Sequence, residues 1–284
     1  MASSTSRPPP WVSPFAASTS VSASTRDDPA LDDPGTVQFT SMKALLNTID
    51  STTRDSLTVT HVSLDRFTNI ERTREKQRRK FRFRYYDSKS QILIITIPTG
   101  LHEQLHKVLY NEYLGQIHDM GLKKSWIDIA STTLPPPQGH SRRRGKEGDS
   151  TGGPLPERIT KCVWPTLVIV PGYSESLRQL HMDMHRWFDI SNHEVKIVLL
   201  AKFDGTTILL EKWEEETQPL EPVLRQSIAI TRNTTTNPIS YNVTGALVLS
   251  FRLLFLRDPG PGEGDFVFGV PELENYAERV WFQV

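Results

Sequence analysis

The sequence predicts a mixed α/β fold, and three observations carry that expectation. Short runs rich in β-branched and aromatic residues recur at 80–86, 91–97, 163–170 and 195–213. Between them lie two longer stretches with apolar residues at helical spacing, 101–118 and 174–188. Asp204-Gly205, set between two apolar runs, is the strongest hairpin signal in the chain.

In chain order, residues 1–37 are rich in Ser, Thr, Pro and Ala without apolar periodicity, which predicts a disordered tail. The remainder, 38–284, reads as one α/β domain. A short helix is expected over 42–49 and a strand over 57–64, followed by a charged run, 71–80, with no assigned element. The strand over 80–86 alternates Phe81, Phe83 and Tyr85 with Arg82, Arg84 and Tyr86. Asp87-Ser88-Lys89-Ser90 turns it into the apolar strand over 91–97. Leu101, Leu105, Val108, Leu109 and Ile117 form one stripe of the next helix, which Gly121 ends. A strand over 125–130 precedes a Pro-, Gly-, Arg- and Ser-rich stretch at 134–158, too long and polar for an ordinary connection and expected as a mobile insert. A buried-type strand over 163–170 leads to a helix that Ser174 is expected to cap, with Leu177, Leu180, Met184, Trp187 and Phe188 inward. Strands follow at 195–203, 206–213, 227–232 and 245–256, then a turn-rich loop at 258–264 and a closing helix over 271–280.

The 284 residues suffice for a sizeable core, although only 37% are apolar and 23% charged. Lys+Arg and Asp+Glu both number 33, so any argument for an anionic partner rests on local clustering. One cysteine, Cys162, excludes an intramolecular disulfide and fits a reducing compartment. The first residues lack a basic start followed by an apolar run, and no stretch reaches the roughly 18 apolar residues of a membrane helix. These features predict an intracellular protein of the cytoplasm or nucleus with no membrane partner, its oligomeric state open.

Motifs sharpen the fold. Lys146-Glu147-Gly148-Asp149-Ser150 is followed by Trp164-Pro165-Thr166-Leu167-Val168-Ile169-Val170-Pro171-Gly172-Tyr173-Ser174-Glu175-Ser176. Leu180, Asp183 and Trp187 come next, then Val195-Lys196-Ile197-Val198 and Leu210-Glu211-Lys212-Trp213. Over 101–215 this pattern resembles a group of fungal proteins that is in turn similar to the PD-(D/E)XK nuclease superfamily. The resemblance implies a restriction-endonuclease-like mixed sheet flanked by helices. It also implies a Mg²⁺ site with Asp149 as first acid, a second acid where this chain has Val170, and a lysine where it has Gly172. Hard oxygen ligands suit Mg²⁺, and Val and Gly supply none. The expectation is therefore a catalytically inactive nuclease-like domain that serves as a binding or scaffold module, without cofactor. The alternative is a weakly active nuclease holding Mg²⁺ through Asp149, Glu175 and Asp183, with Lys196 or Lys202 as its cation. The plainer reading places Glu175 at a helix N-terminus and Asp183 in a pair or in solvent. A third reading is a protein-interaction domain with no nucleic-acid role.

Two further patterns remain. His181 and His185 have the i, i+4 spacing of a Zn²⁺ pair, without a general-base Glu or a third ligand. Arg78, Arg79, Lys80, Arg82 and Arg84, interleaved with aromatics, and Arg142, Arg143 and Arg144 in the insert, are candidates for nucleic-acid contact. For the first group, the plainer reading is a solvated strand face with its aromatics in the core.

Overall fold

The computed structural model describes residues 35–129, 133–134, 146–158 and 163–284. The expected tail lies outside them except at its last three residues, as do Arg142, Arg143 and Arg144.

The chain begins with a small sheet. β1 (Thr36–Gln38) pairs in parallel with β2 (Ser56–Thr60), and α1 (Met42–Ser51) makes the crossover. α2 (Leu64–Lys76) follows closely because the Ser63 hydroxyl caps it, accepting from the Arg66 amide at 3.4 Å. β3 (Arg82–Asp87) and β4 (Ile92–Thr96) form a hairpin, giving the order β1-β2-β4-β3. Leu57, Val59, Phe83, Tyr86, Leu93 and Ile95 pack into one core with α1 and α2. Side chains alternate along a strand, so Ser56, Thr58, Thr60 and Thr96 take the opposite face, yet they too are buried. A buried polar face requires polar partners, and the second part of the fold supplies them.

That part opens with α3 (Gly100–Asp119), capped by Thr99. Strands β5 (Trp126–Asp128), β6 (Thr133–Leu134), β7 (Lys146–Glu147), β8 (Ser150–Pro154) and β9 (Leu167–Gly172) follow. Then come α4 (Leu177–Ile190), β10 (Ile197–Phe203), β11 (Thr207–Glu215), β12 (Pro222–Asn233) and β13 (Ser240–Val243). The seven-stranded sheet runs β13-β12-β11-β10-β9-β8-β5. Only β9 and β10, joined through α4, are parallel; the other neighbours are antiparallel. Val168, Val170, Val198 and Leu200 pack on Leu180, Met184, Trp187 and Phe188 of α4. Leu167, Ile169, Ile197 and Leu199 join α3 in the other layer. Covering both faces explains why Leu167–Val170 and Ile197–Ala201 are apolar without a break, and each fully buried Val, Leu or Ile contributes about 1.5–3 kcal/mol. The chain closes with β14 (Leu247–Leu249), α5 (Phe251–Phe255), β15 (Phe266–Phe268) and α6 (Val270–Trp281), which docks on α3 through Tyr276 Oη donating to the Leu105 carbonyl at 3.0 Å.

The mixed α/β class is therefore as the sequence predicts, and several local expectations are corrected. The charged run at 71–80 contributes the second half of α2; its narrow apolar stripe, Phe67 and Ile70, hides among basic residues. Part of the expected insert, Ser150–Pro154, is β8, an interior strand whose small Ser, Thr and Gly residues give no apolar signal. α4 starts after Ser176, not Ser174: the Ser176 hydroxyl and the Gln179 side chain complete a capping box. The strand expected over 245–256 divides into β14 and α5. Among the described residues no helix is long and apolar enough to cross a membrane.

Candidate functional site

The buried polar face of the small sheet meets α3, the β7–β8 segment and α4, and charged side chains gather there. Arg84 is the extra residue of a β-bulge: Phe83 pairs with Ile95 and Tyr85 with Ile94, leaving Arg84 unmatched. A bulge re-aims the side chains that follow it: Tyr86 rejoins the core of Phe83 while Tyr85 packs on the α4 core, and Arg84 keeps to the polar face of Arg82, with 4% of its side chain exposed. Its Nε donates to Asp183 Oδ2 at 3.1 Å and its Nη1 to Glu175 Oε2. Lys146, wholly buried, donates to Asp183 Oδ1 and lies 4.6 Å from the Trp187 ring centroid. Burial would raise the Asp183 carboxyl, but Arg84 and Lys146 outweigh it and bring it down to about 2. Glu175 shares Arg84 but is pushed up, because burial and the nearby Asp55 and Asp183 charges exceed what one guanidinium offsets. Burial lowers Lys146 to about 8 despite Asp183.

A second cluster adjoins the first. Asp55, just ahead of β2, accepts from the Tyr173 and Ser174 amides at 2.9 Å each and from the Ser174 hydroxyl. His102 in the first turn of α3 bridges two carboxylates: Nδ1 lies 3.1 Å from Asp55 Oδ2, and Nε2 lies 3.2 Å from Asp149 Oδ1. Arg82 forks across Asp149 Oδ1 at 2.7 Å and Glu103 Oε1 at 3.1 Å. Burial alone would lower His102, yet the Asp149 and Asp55 charges raise it to about 9, so it is an imidazolium at neutral pH. Asp149, despite burial, is held far below the usual carboxylate range by His102, His106 and Arg82. His106, one turn along α3, has Nδ1 2.7 Å from Ser150 Oγ; burial lowers its basicity. Glu147 takes both Arg74 Nη1 contacts, at 2.9 and 3.0 Å, and the Phe83 amide at 2.9 Å.

The sequence-predicted residues divide accordingly. Asp149, Glu175 and Asp183 all reach this region. Arg84, expected at a nucleic-acid surface, is instead the internal counter-ion of Glu175 and Asp183, since the rest of the fold covers the strand face it shares with Arg82. Lys196 stands at the far end of β10, its Nζ on the His193 carbonyl at 2.7 Å; about 20 Å of strand separates it from Lys202, whose Nζ donates to the Tyr173 carbonyl. Arg78 and Lys80 are exposed, while Arg79 pairs with Asp50. His181 Nε2 contacts Glu211 Oε2 at 2.6 Å and His185 is exposed, so the two do not converge on a metal. Asp55, His102 and His106 were not singled out in the sequence, and Lys146, named there within the 146–150 motif and beside the Arg142–Arg144 patch, is buried instead. His102 and His106 nevertheless carry the same i, i+4 spacing as His181 and His185.

The Mg²⁺ that the resemblance implies does not fit these residues. β8 lies against β9 with Ser150 opposite Ile169, which sets Asp149 across from Val170 by continuation of the register. Val170 is 2% exposed and packs in the α4 core. A Cβ on Gly172 would come 2.7 Å from the Leu180 side chain, leaving no room for a lysine unless Leu180 moves. Glu175 and Asp183 already share a guanidinium. No hard-oxygen ligand set of the size Mg²⁺ requires is assembled among the described residues. One group of mixed donors, His102, His106 and Asp149, has its ligand atoms within 4.8 Å of one another.

Comparison with protein-family models finds none that matches the chain, and comparison with curated proteins likewise finds none.

Proposed function

We propose that this chain is a nuclease-like domain whose magnesium centre is replaced by internal ion pairs, and which binds the phosphate backbone of a nucleic acid without cutting it. The observation that carries the reading is a groove of about 660 Å³ lined by Arg74, Arg79, Lys80, Arg82 and Lys107 against the acids Glu103 and Glu147. Thr99 and Gly100, at the positive end of α3, also line it. Supporting the nuclease-like part is the run α3, β5, β6, β7, β8, β9, α4, β10, with Asp149 between β7 and β8.

Phosphate contacts release counterions, so binding should weaken steeply with salt. Fluorescence anisotropy of a labelled DNA or RNA duplex, without divalent metal, tests this. Lys80→Glu and Lys107→Glu should each weaken binding and reduce the slope of log affinity against log salt by about one. Mg²⁺ should produce no cleavage. Absent binding at low salt, or affinity unmoved by both substitutions, sinks the reading; Mg²⁺-dependent cleavage lost in Asp149→Ala restores the active-nuclease alternative.

A further inference from the structure

We propose that His102, His106 and Asp149 form a binding site for a borderline divalent transition metal, of the Zn²⁺ and Co²⁺ class. It does not depend on the groove reading and differs in chemistry from a magnesium centre.

Spacing of four along α3 puts both imidazoles on one helix face, with ring centroids 5.6 Å apart. Both Nδ1 atoms are occupied: that of His102 by Asp55 Oδ2 at 3.1 Å, that of His106 by Ser150 Oγ at 2.7 Å. Metal-binding histidines almost always anchor one ring nitrogen on an outer carboxylate, carbonyl or hydroxyl so that the other presents its lone pair. That leaves His106 Nε2 over, while His102 Nε2 meets Asp149 itself, and each of the three residues brings one ligand atom to a group that spans 4.8 Å.

His106 Nε2 is the independent observation. The residue is 0% exposed, and this nitrogen has no hydrogen-bond partner. Glu103 Oε1 lies 3.6 Å away, beyond hydrogen-bond reach. A buried polar atom without a partner costs stability, and a cation between the two imidazoles gives it one. Metal–nitrogen bonds of 2.0–2.1 Å put tetrahedral ligand atoms about 3.3 Å apart. The observed 3.2 Å between His102 Nε2 and Asp149 Oδ1 already matches that edge; only His106 has to close in. The ion takes the place of the proton on His102 Nε2, and Arg82 keeps its bond to Asp149. Imidazole donors select Zn²⁺, Co²⁺ or Ni²⁺ over Mg²⁺.

The test adds Co²⁺ alone to the full chain and follows the visible d–d absorption, with Zn²⁺ as competitor. One equivalent of Co²⁺ should bind, be displaced by Zn²⁺ and ignore millimolar Mg²⁺. His106→Ala should abolish the band, Ser150→Ala should weaken binding by about 10-fold or more, and His181→Ala should leave it unchanged. X-ray absorption of the Zn²⁺-loaded wild type needs no variant and should show two imidazole nitrogens at about 2.0–2.1 Å. Failure of wild type to bind either ion, a first shell without imidazole, or an unaltered band in a folded His106→Ala protein overturns the proposal. None of these outcomes touches the groove reading, whose binding assay contains no metal.

Discussion

Arg84→Met should destabilise the protein by roughly 3–5 kcal/mol, the cost of removing one partner from a buried ion cluster. Arg84 compensates two buried carboxylates, Glu175 and Asp183, whose side chains are 6% and 3% exposed. Without it Asp183 keeps Lys146, but Glu175 retains no cation in hydrogen-bond contact apart from any that moves in. The methionine fills similar volume, so the loss reports charge rather than a cavity. Denaturant unfolding of wild type and variant measures it. Adding Glu175→Gln to Arg84→Met should recover part of the loss, because exchanging both members for neutral groups leaves no orphaned charge. A loss below about 1 kcal/mol, the range of an exposed salt bridge, would show that Arg84 does not neutralise this cluster.

Raising pH from 6.5 to 8 should cost the protein roughly 1 kcal/mol of stability, the loss through His102 being partly offset by Lys146. Burial opposes its charge, but Asp149 and Asp55 on either side raise it from 6.5 to about 9, with Arg82, Glu103 and His106 as the neighbouring groups. A base whose folded value lies above its unfolded one stabilises most below the unfolded value, and the effect is lost as pH rises through the folded value. The full contribution is about 3 kcal/mol, lost between pH 6.5 and 9. Lys146 acts with opposite sign. Burial lowers it from 10.5 to about 8, so folding favours its neutral form and stability rises between pH 8 and 10.5. His106, lowered by burial, removes stability as pH falls below 6.5. The optimum should therefore lie near pH 6.5, with a fall towards pH 8. Unfolding curves at pH 6.5 and 8 decide the matter: the difference should vanish in His102→Gln, and a wild type equally stable at both values would show that His102 is not held as an imidazolium.

Much of the architecture was legible because apolar pattern reports burial directly. β9 and β10 follow from their continuous apolar runs, which both-face burial demands, β11 from the apolar Ile208–Leu210 at its start, and the turn between the last two from Asp204-Gly205, where Gly205 takes φ of 100°. α3 and α6 follow from their stripes. β8 escaped because Ser150-Thr151-Gly152-Gly153 carries no apolar signal, although it is completely buried. α2 escaped because its two inward residues are surrounded by basic ones.

By itself, the sequence determined the α/β class, the main strands and helices, and the absence of oxygen donors at Val170 and Gly172, since each is a property of side chains read locally. Only the tertiary structure decided how the charged residues pair in the interior. A buried charge reads as a solvent-exposed one until its partner is known, and the partners are distant in sequence: Asp55 and His102 are 47 residues apart, Arg84 and Asp183 are 99. The face that Arg84 shares with Arg82 is legible in the period-two pattern, but its covering by α3, α4 and the β7–β8 segment exists only in the folded chain. Local chemistry set the elements, and long-range electrostatics, which require both partners in space, set the site.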